Sequence, residues 1–97
     1  MNLGKVIGTV IASQKDPSLT GSKLMVVKNI DLEGNFTGSF TISVDVVQSG
    51  VGDTVLCASG SSARQTEKTK NRPVDNVIIG IVDEVKVEKD WAKKSDK

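Results

Sequence analysis

The stretch from residue 36 to residue 46 reads Phe36-Thr37-Gly38-Ser39-Phe40-Thr41-Ile42-Ser43-Val44-Asp45-Val46. Its even positions carry Phe, Gly, Ile or Val, and its odd positions carry Thr, Ser or Asp. Such strict alternation is typical of a β-strand, because successive side chains of a strand point to opposite faces. The stretch therefore predicts a strand with a buried even face and a solvated odd face.

Other segments rich in β-branched residues surround this stretch and predict further strands. They are residues 5–12, 23–30, 54–58 and 77–87. Turn signals separate the predicted strands at intervals of ~8–12 residues, which is typical of a small β-barrel. A Gly-rich stretch at 49–53 lacks the Lys-Ser/Thr pair of a phosphate-binding loop, so it is interpreted as a turn.

One short helix is expected over residues 60–67, because Ser62 and Gln65 have the spacing of a helix-capping box. The fold prediction is mainly all-β, a small five-stranded OB-like β-barrel with this helix before the last strand. Residues 1–88 are expected to form the barrel domain, and the charged residues 89–97 are expected to form a tail.

The composition excludes several classes of function. The 97 residues include no His and no Tyr, a single Cys and 3% aromatic residues, and the net charge is +1. His-based catalysis, His metal ligands and zinc-finger spacings are therefore excluded, and no catalytic residue, metal or cofactor is predicted. The charge and the aromatic content also disfavour binding of nucleic acid. Cys57 is interpreted as a small buried hydrophobe.

The chain shows no targeting or membrane signal. No stretch approaches the ~20 apolar residues of a membrane span, and no apolar signal-peptide core follows the N-terminus. A single cysteine cannot form an intrachain disulfide, which fits a reducing compartment. A cytosolic protein with no membrane partner is therefore expected.

Most of the predicted strands carry apolar side chains on both faces. The first strand places Val6 and Val10 on one face and Ile7 and Ile11 on the other. A barrel interior takes only one face of each strand, so several Val, Ile and Met side chains are expected outside. Burying each of them is worth ~1.5–3 kcal/mol, which predicts self-association. The surface around the third strand is expected to stay solvated.

The residues Gly60–Ser62 open the predicted helix, where backbone amides can bind an anion or be capped by Ser. No base stands beside a Ser nucleophile, so capping is the simpler interpretation. Arg64 in the first helical turn opposes the helix dipole, which predicts an outside partner, with plain solvent exposure as the alternative. The carboxylates considered as partners are Asp45, Asp75 and Asp83.

Several blocks of the sequence resemble one family in their order along the chain. They are Met1-Asn-Leu-Gly-Lys-Val-Ile-Gly-Thr-Val-Ile-Ala12, Leu19-Thr-Gly-Ser-Lys-Leu-Met-Val-Val27, Asp45-Val-Val-Gln-Ser-Gly-Val-Gly-Asp-Thr-Val-Leu56, Ser59-Gly-Ser-Ser-Ala-Arg-Gln-Thr66 and Arg72-Pro-Val-Asp-Asn-Val-Ile-Ile-Gly-Ile-Val-Asp83. Together they resemble the bacterial microcompartment vertex proteins of the EutN/CcmL family. The resemblance covers residues 1–85, and the stretch 31–43 is not distinctive of the family.

The resemblance implies a non-enzymatic shell protein in the bacterial cytoplasm. It implies a homopentamer that fills the vertices of a polyhedral shell otherwise tiled by hexameric shell proteins. It also implies that one block lies near the five-fold axis or at the subunit contact. That block consists of Gly60, Ser61, Ser62, Ala63 and Arg64. The alternative function for an OB-like barrel is a nucleic-acid-binding module.

Overall fold

A computed structural model describes residues 1–13, 17–19, 21–60 and 75–88, and these contain five strands and a short 3-10 helix at Pro17–Leu19. The strands are β1 (Asn2–Val10), β2 (Lys23–Ile30), β3 (Phe36–Asp45), β4 (Thr54–Ser59) and β5 (Asn76–Ile81). They close into a barrel in the order β1-β2-β3-β5-β4. The β3–β5 pair is parallel and the other pairs are antiparallel. The predicted β-barrel is confirmed.

Two predicted features lie outside the described residues. The helix expected over 60–67 falls there except for Gly60, and so does the tail expected over 89–97. The barrel domain expected over 1–88 contains all five of the strands found in the described residues.

The barrel interior is filled by side chains from four of the strands. This core consists of Val6, Met25, Val27, Val55, Cys57 and Ile78, each at most 1% exposed. Met25 and Val27 alternate with Leu24 and Val26, which are only partly buried, so β2 has one apolar face inside the barrel and a second one outside. Met25 itself lies inside, so the apolar side chains on the outer face do not include this methionine. Cys57 is a free, buried thiol, as expected.

The predicted orientation of β3 is wrong. The odd positions face the barrel interior: Ser43 is fully buried and Asp45 is 9% exposed, whereas Phe40 is 63% exposed. The register is the cause, because Ser43 pairs with Met25 and Thr41 pairs with Val27, and directly paired residues share one face of a sheet. The alternation of the sequence is real, but the polar side chains line the interior and the apolar ones lie outside.

The expectation that Val6 and Val10 share a face is also wrong. The β1–β2 register shifts between Val6 and Gly8, so that Ile7 is an extra, unpaired residue. Such a β-bulge reverses the facing of every residue that follows it. Val6 therefore belongs to the interior core, while Val10 pairs with Leu24 on the outer face.

The last strand is shorter than predicted: β5 ends at Ile81 rather than at residue 87. The amide of Val82 still donates to the carbonyl of Thr54, at 2.8 Å. Thr54 is the first residue of β4, so the neighbouring strand offers no further partner beyond that point. Residues 83–88 continue without a strand assignment.

Candidate subunit interface

The outer face of the sheet has two zones, and one of them is covered. Val44 pairs with Leu24 on one side and with Val77 on the other, so these side chains share the outer face. Val44, Ala58 and Val77 form a second buried cluster there, against which further apolar side chains pack. The partly buried members are Leu19, Leu24, Val46 and Ile79. The apolar side chains of this zone are therefore covered by other residues of the same chain.

The second zone is open, and we call it the outer strip (Val26, Phe36, Phe40 and Ile42). Val26 pairs with Ile42, and Lys28 pairs with Phe40, which places these residues side by side on the outer face. Phe36, Phe40 and Ile42 are 51%, 63% and 42% exposed. Contiguous exposed apolar surface of this kind is typical of an interaction site. The odd positions with Thr, Ser and Asp were expected to form the surface around the third strand, and this is wrong because apolar side chains form it instead.

One charged side chain lies over this strip. The Lys28 ammonium is 4.5 Å from the centre of the Phe36 ring, within the range of a cation–π contact. The opposite face of the same hairpin is polar, since Asn29 donates to Ser39 Oγ at 2.8 Å and accepts from Asn2 at 2.5 Å. The hairpin therefore presents one apolar and one polar face at its far end.

Gly8 leaves a gap beside the strip. It pairs with Val26, so a side chain at position 8 would stand in the same outer row as Val26 and Ile42. A Cβ atom at Gly8 would meet nothing within 4 Å. The missing side chain leaves the flanks of its neighbours open to a partner.

The turn predicted at 49–53 is confirmed and is held against β1 at its bulge. Val6 donates to the Asp53 carbonyl at 3.0 Å and accepts from the Gly52 amide at 2.8 Å. The Asp53 carboxylate accepts from the Gly50 amide at 2.8 Å. These bonds fix a turn that displays Val51, a side chain that is 66% exposed.

The one described residue of the Gly60–Arg64 block is Gly60. Its φ is +62°, in the left-handed region that favours glycine, and its amide donates to the Asp75 carbonyl at 2.9 Å. This bond ties the end of β4 to the residue before β5. The other members, Ser61, Ser62, Ala63 and Arg64, lie outside the described residues.

Of the carboxylates considered as partners of Arg64, Asp45 has another cation beside it. Its Oδ2 lies 3.7 Å from the ammonium of Lys23, and its side chain is completely buried. Asp75 and Asp83 flank β5.

The described residues hold no group of three or more His, Cys, Asp or Glu side chains that could bind a metal ion. Burial raises the pKa of the Cys57 thiol above its ordinary value of 9.0, and a hydrogen bond with Ser43 opposes this only in part. A raised pKa leaves little thiolate near neutral pH, which is unfavourable for a nucleophile.

Among the described residues, no helix is long and apolar enough to cross a membrane.

Known proteins resemble this chain over most of its length. It is 42% identical to the carboxysome shell vertex protein CcmL of Gloeobacter violaceus, over 91% of this chain and 88% of that protein. It is 42% identical to the bacterial microcompartment shell vertex protein EutN of Escherichia coli K12, over 88% of this chain and 90% of that protein.

Solved structures show the same barrel. The CcmL structure from Gloeobacter violaceus superimposes with a TM-score of 0.87, at 42% identity, and covers 91% of each chain. The pentameric microcompartment shell protein GrpN from Rhodospirillum rubrum gives a TM-score of 0.83 at 42% identity, covering 90% of this chain and 99% of that one. The model of the family described as ethanolamine utilisation protein EutN/carboxysome matches residues 1–83. The chain therefore belongs to the EutN/CcmL family.

Proposed function

We propose that this chain is a structural vertex protein of a bacterial microcompartment shell, and that five copies form a ring. The observation that carries the proposal is a match over 88–91% of the chain to relatives named as shell vertex proteins and to the solved barrel of one of them. The Rhodospirillum rubrum structure, which matches 90% of this chain, is a pentameric shell protein. The protein would work in the cytoplasm, as part of the shell.

The outer strip supports assembly on physical grounds. Burial of each half-exposed Phe or Ile side chain would contribute on the order of 1 kcal/mol, since part of its area is already covered. A ring needs two different surfaces on each copy, so that each contact is heterologous and the rotation closes. The chain offers at least two apolar areas, the outer strip and the turn that displays Val51.

The role in the shell follows from geometry. Hexagonal tiles alone make a flat sheet, and pentagons are needed to close it into a polyhedron. The partners proposed for the ring are therefore hexameric shell proteins, which would contact its five outer sides. The function requires shape and complementary edges, and no catalytic step.

The alternative, an OB-fold nucleic-acid-binding module, has one supporting observation. Phe36 and Phe40 are exposed on β2–β3, the part of OB barrels that binds oligonucleotides, and Lys28 lies beside them. A net charge of +1 provides little attraction for a phosphate backbone. Filter binding at low salt should show no retention of single-stranded DNA or RNA, and retention that weakens with added salt would favour the alternative.

The Gly60–Arg64 block is proposed to lie at the five-fold axis or at the subunit contact. The position of Gly60, exposed at the end of β4, supports a role at a surface. Arg64→Ala should weaken the pentamer more than it lowers the melting temperature of the dissociated chain. If the stability of the dissociated chain fell as much as the stability of the pentamer, Arg64 would act within the fold of its own subunit.

Co-expression with hexameric shell proteins tests the whole proposal. Particles made with this chain should be closed, and electron microscopy should show pentamers at their vertices. Omission of the chain should leave open or incomplete shells. Shells that close equally well without it, or that never incorporate it, would contradict the vertex assignment.

A further inference from the structure

The segment after β5 has the sequence of a strand, but it pairs with no strand among the described residues. Residues 84–88 read Glu-Val-Lys-Val-Glu, an alternation typical of a strand with one apolar face. Val85 and Val87 are 41% and 38% exposed. Among the described residues, the Val82 amide makes the last backbone hydrogen bond, and none involves residues 83–88. The β-propensity of this segment is not used within its own barrel.

Within the described ranges, one strand of the barrel has an edge that is only partly paired. β5 pairs with β3 only at Val44 and Asp45, whereas β2 pairs with β3 along most of its length. On the β5 side, the part of β3 before Val44 therefore has no neighbour among the described residues. A β-bulge interrupts this edge near Gly38, where φ is +100°, so the regular part is Phe40–Ser43.

The unused segment and the unused edge fit each other. Unpaired strand edges present rows of amide and carbonyl groups that readily accept an additional strand. Val85 and Val87 would lie on one face of the added strand, beside Phe40 and Ile42 of the outer strip. Aromatic and β-branched cross-strand pairs of this type stabilise a sheet.

We propose that residues 84–88 of one copy add as a strand to the β3 edge at Phe40–Ser43 of the next copy. The inference rests on the proposed ring, and it identifies the contact that closes it. Donor segment and acceptor edge are different surfaces of one chain, as a heterologous cyclic contact requires. The donor begins at the end of β5, beside the β2–β3 turn, where Val82–Val85 line a cleft with residues 31–34. From there, within the described part of the chain, the segment runs to residue 88 without a backbone hydrogen bond to β3.

Hydrogen exchange in the intact pentamer tests whether residues 84–88 pair with a neighbour. Their amides should be protected about 100-fold or more relative to the dissociated chain. Lys86→Pro should weaken the pentamer by about tenfold or more because proline removes a ladder donor, and Lys86→Ala serves as the matched control. Pentamers in which these amides exchange as fast as in an unfolded peptide would refute the inference while leaving the proposed function intact.

Cross-linking identifies the acceptor edge. The double variants Phe40→Cys with Val87→Cys, and Ile42→Cys with Val85→Cys, should give a ladder of covalently linked chains with a short bismaleimide. The single variants, which keep the buried Cys57, should give none. The double variant Thr9→Cys with Val87→Cys tests β1 as the acceptor instead. A ladder from this variant alone, or links only within one chain, would refute β3 of the next copy as acceptor. A chain that stays monomeric would instead refute the proposed ring, and the inference with it.

Discussion

Asp45 Oδ2 lies 3.7 Å from Lys23 Nζ and, within the described part of the chain, accepts no hydrogen bond although its side chain is completely buried. Its other oxygen accepts from the Val47 amide at 3.0 Å, and Lys23 donates to the Ser49 carbonyl at 3.0 Å. A buried carboxylate is costly unless a cation or donors compensate it. Lys23 therefore holds both the end of β3 and the turn that follows it.

Lys23→Met should destabilise the fold by about 1–3 kcal/mol, because Asp45 loses the charge beside it. The value stays below that of a fully buried pair, since the Lys23 side chain is 54% exposed and solvent screens it. Urea denaturation measures the change. In the double variant Lys23→Met with Asp45→Asn, the loss should be smaller than the sum of the two single losses, and strict additivity would show that the two side chains do not interact.

Gly4→Ala should destabilise the barrel by about 1–3 kcal/mol. A Cβ atom there would collide with Val27 Cγ1 and would lie 3.0 Å from the Lys28 carbonyl oxygen. Gly8→Ala on the same strand is the matched control, because the added atom meets nothing within 4 Å. Chemical denaturation should show little change for the control in a dissociated chain, and equal losses in both variants would contradict the close approach at Gly4.

Ile78→Asp should unfold the barrel, because Ile78 is fully buried in the interior core and a carboxylate there would have no partner. Ile81→Asp should cost about 1 kcal/mol or less, since Ile81 is already 44% exposed at the end of β5. Circular dichroism and thermal melts distinguish the two variants. An unfolded Ile81→Asp chain would show that the end of β5 is needed for the barrel itself.

Stability should fall as the pH rises above about 9. Burial raises the pKa of Cys57 above 9.0 in the folded chain, so the unfolded chain loses this proton first. Below that pH the thiol is protonated in both states and its contribution is constant. The drop in melting temperature between pH 7 and pH 10 should be larger for wild type than for Cys57→Ala, in which this part of the pH dependence disappears. An identical drop in both chains would contradict a raised pKa at Cys57.

The sequence predicted the strands well because β-branched runs and turn residues are local signals. It did not predict which face of β3 is inside, since the polar positions Thr41 and Ser43 face the core only because of their register with Met25 and Val27. The sequence also did not predict the bulge at Ile7, because a bulge is a shift in the register between β1 and β2. A pattern of alternation gives the period of a strand, and only pairing with its neighbours gives its direction.

The candidate interface was predicted only in outline. Apolar side chains on both faces of the strands indicated self-association, and the outer strip confirms that apolar side chains remain outside the barrel. The sequence predicts its aromatic members Phe36 and Phe40 to lie in the interior, because they belong to the apolar side of a strict apolar–polar alternation. Strand length was overestimated for β5 because the alternation continues to Val87 after its partner strand has ended.

The mass of the assembly in solution tests the central claim most directly. Native mass spectrometry of the purified chain, over a range of protein concentrations, should give a species of five copies of the 10.3 kDa chain. The five-copy species should persist on dilution if residues 84–88 of each copy add as a strand to β3 of the next copy. A chain that remains single at high concentration, or that forms only a two-fold dimer, would contradict the account.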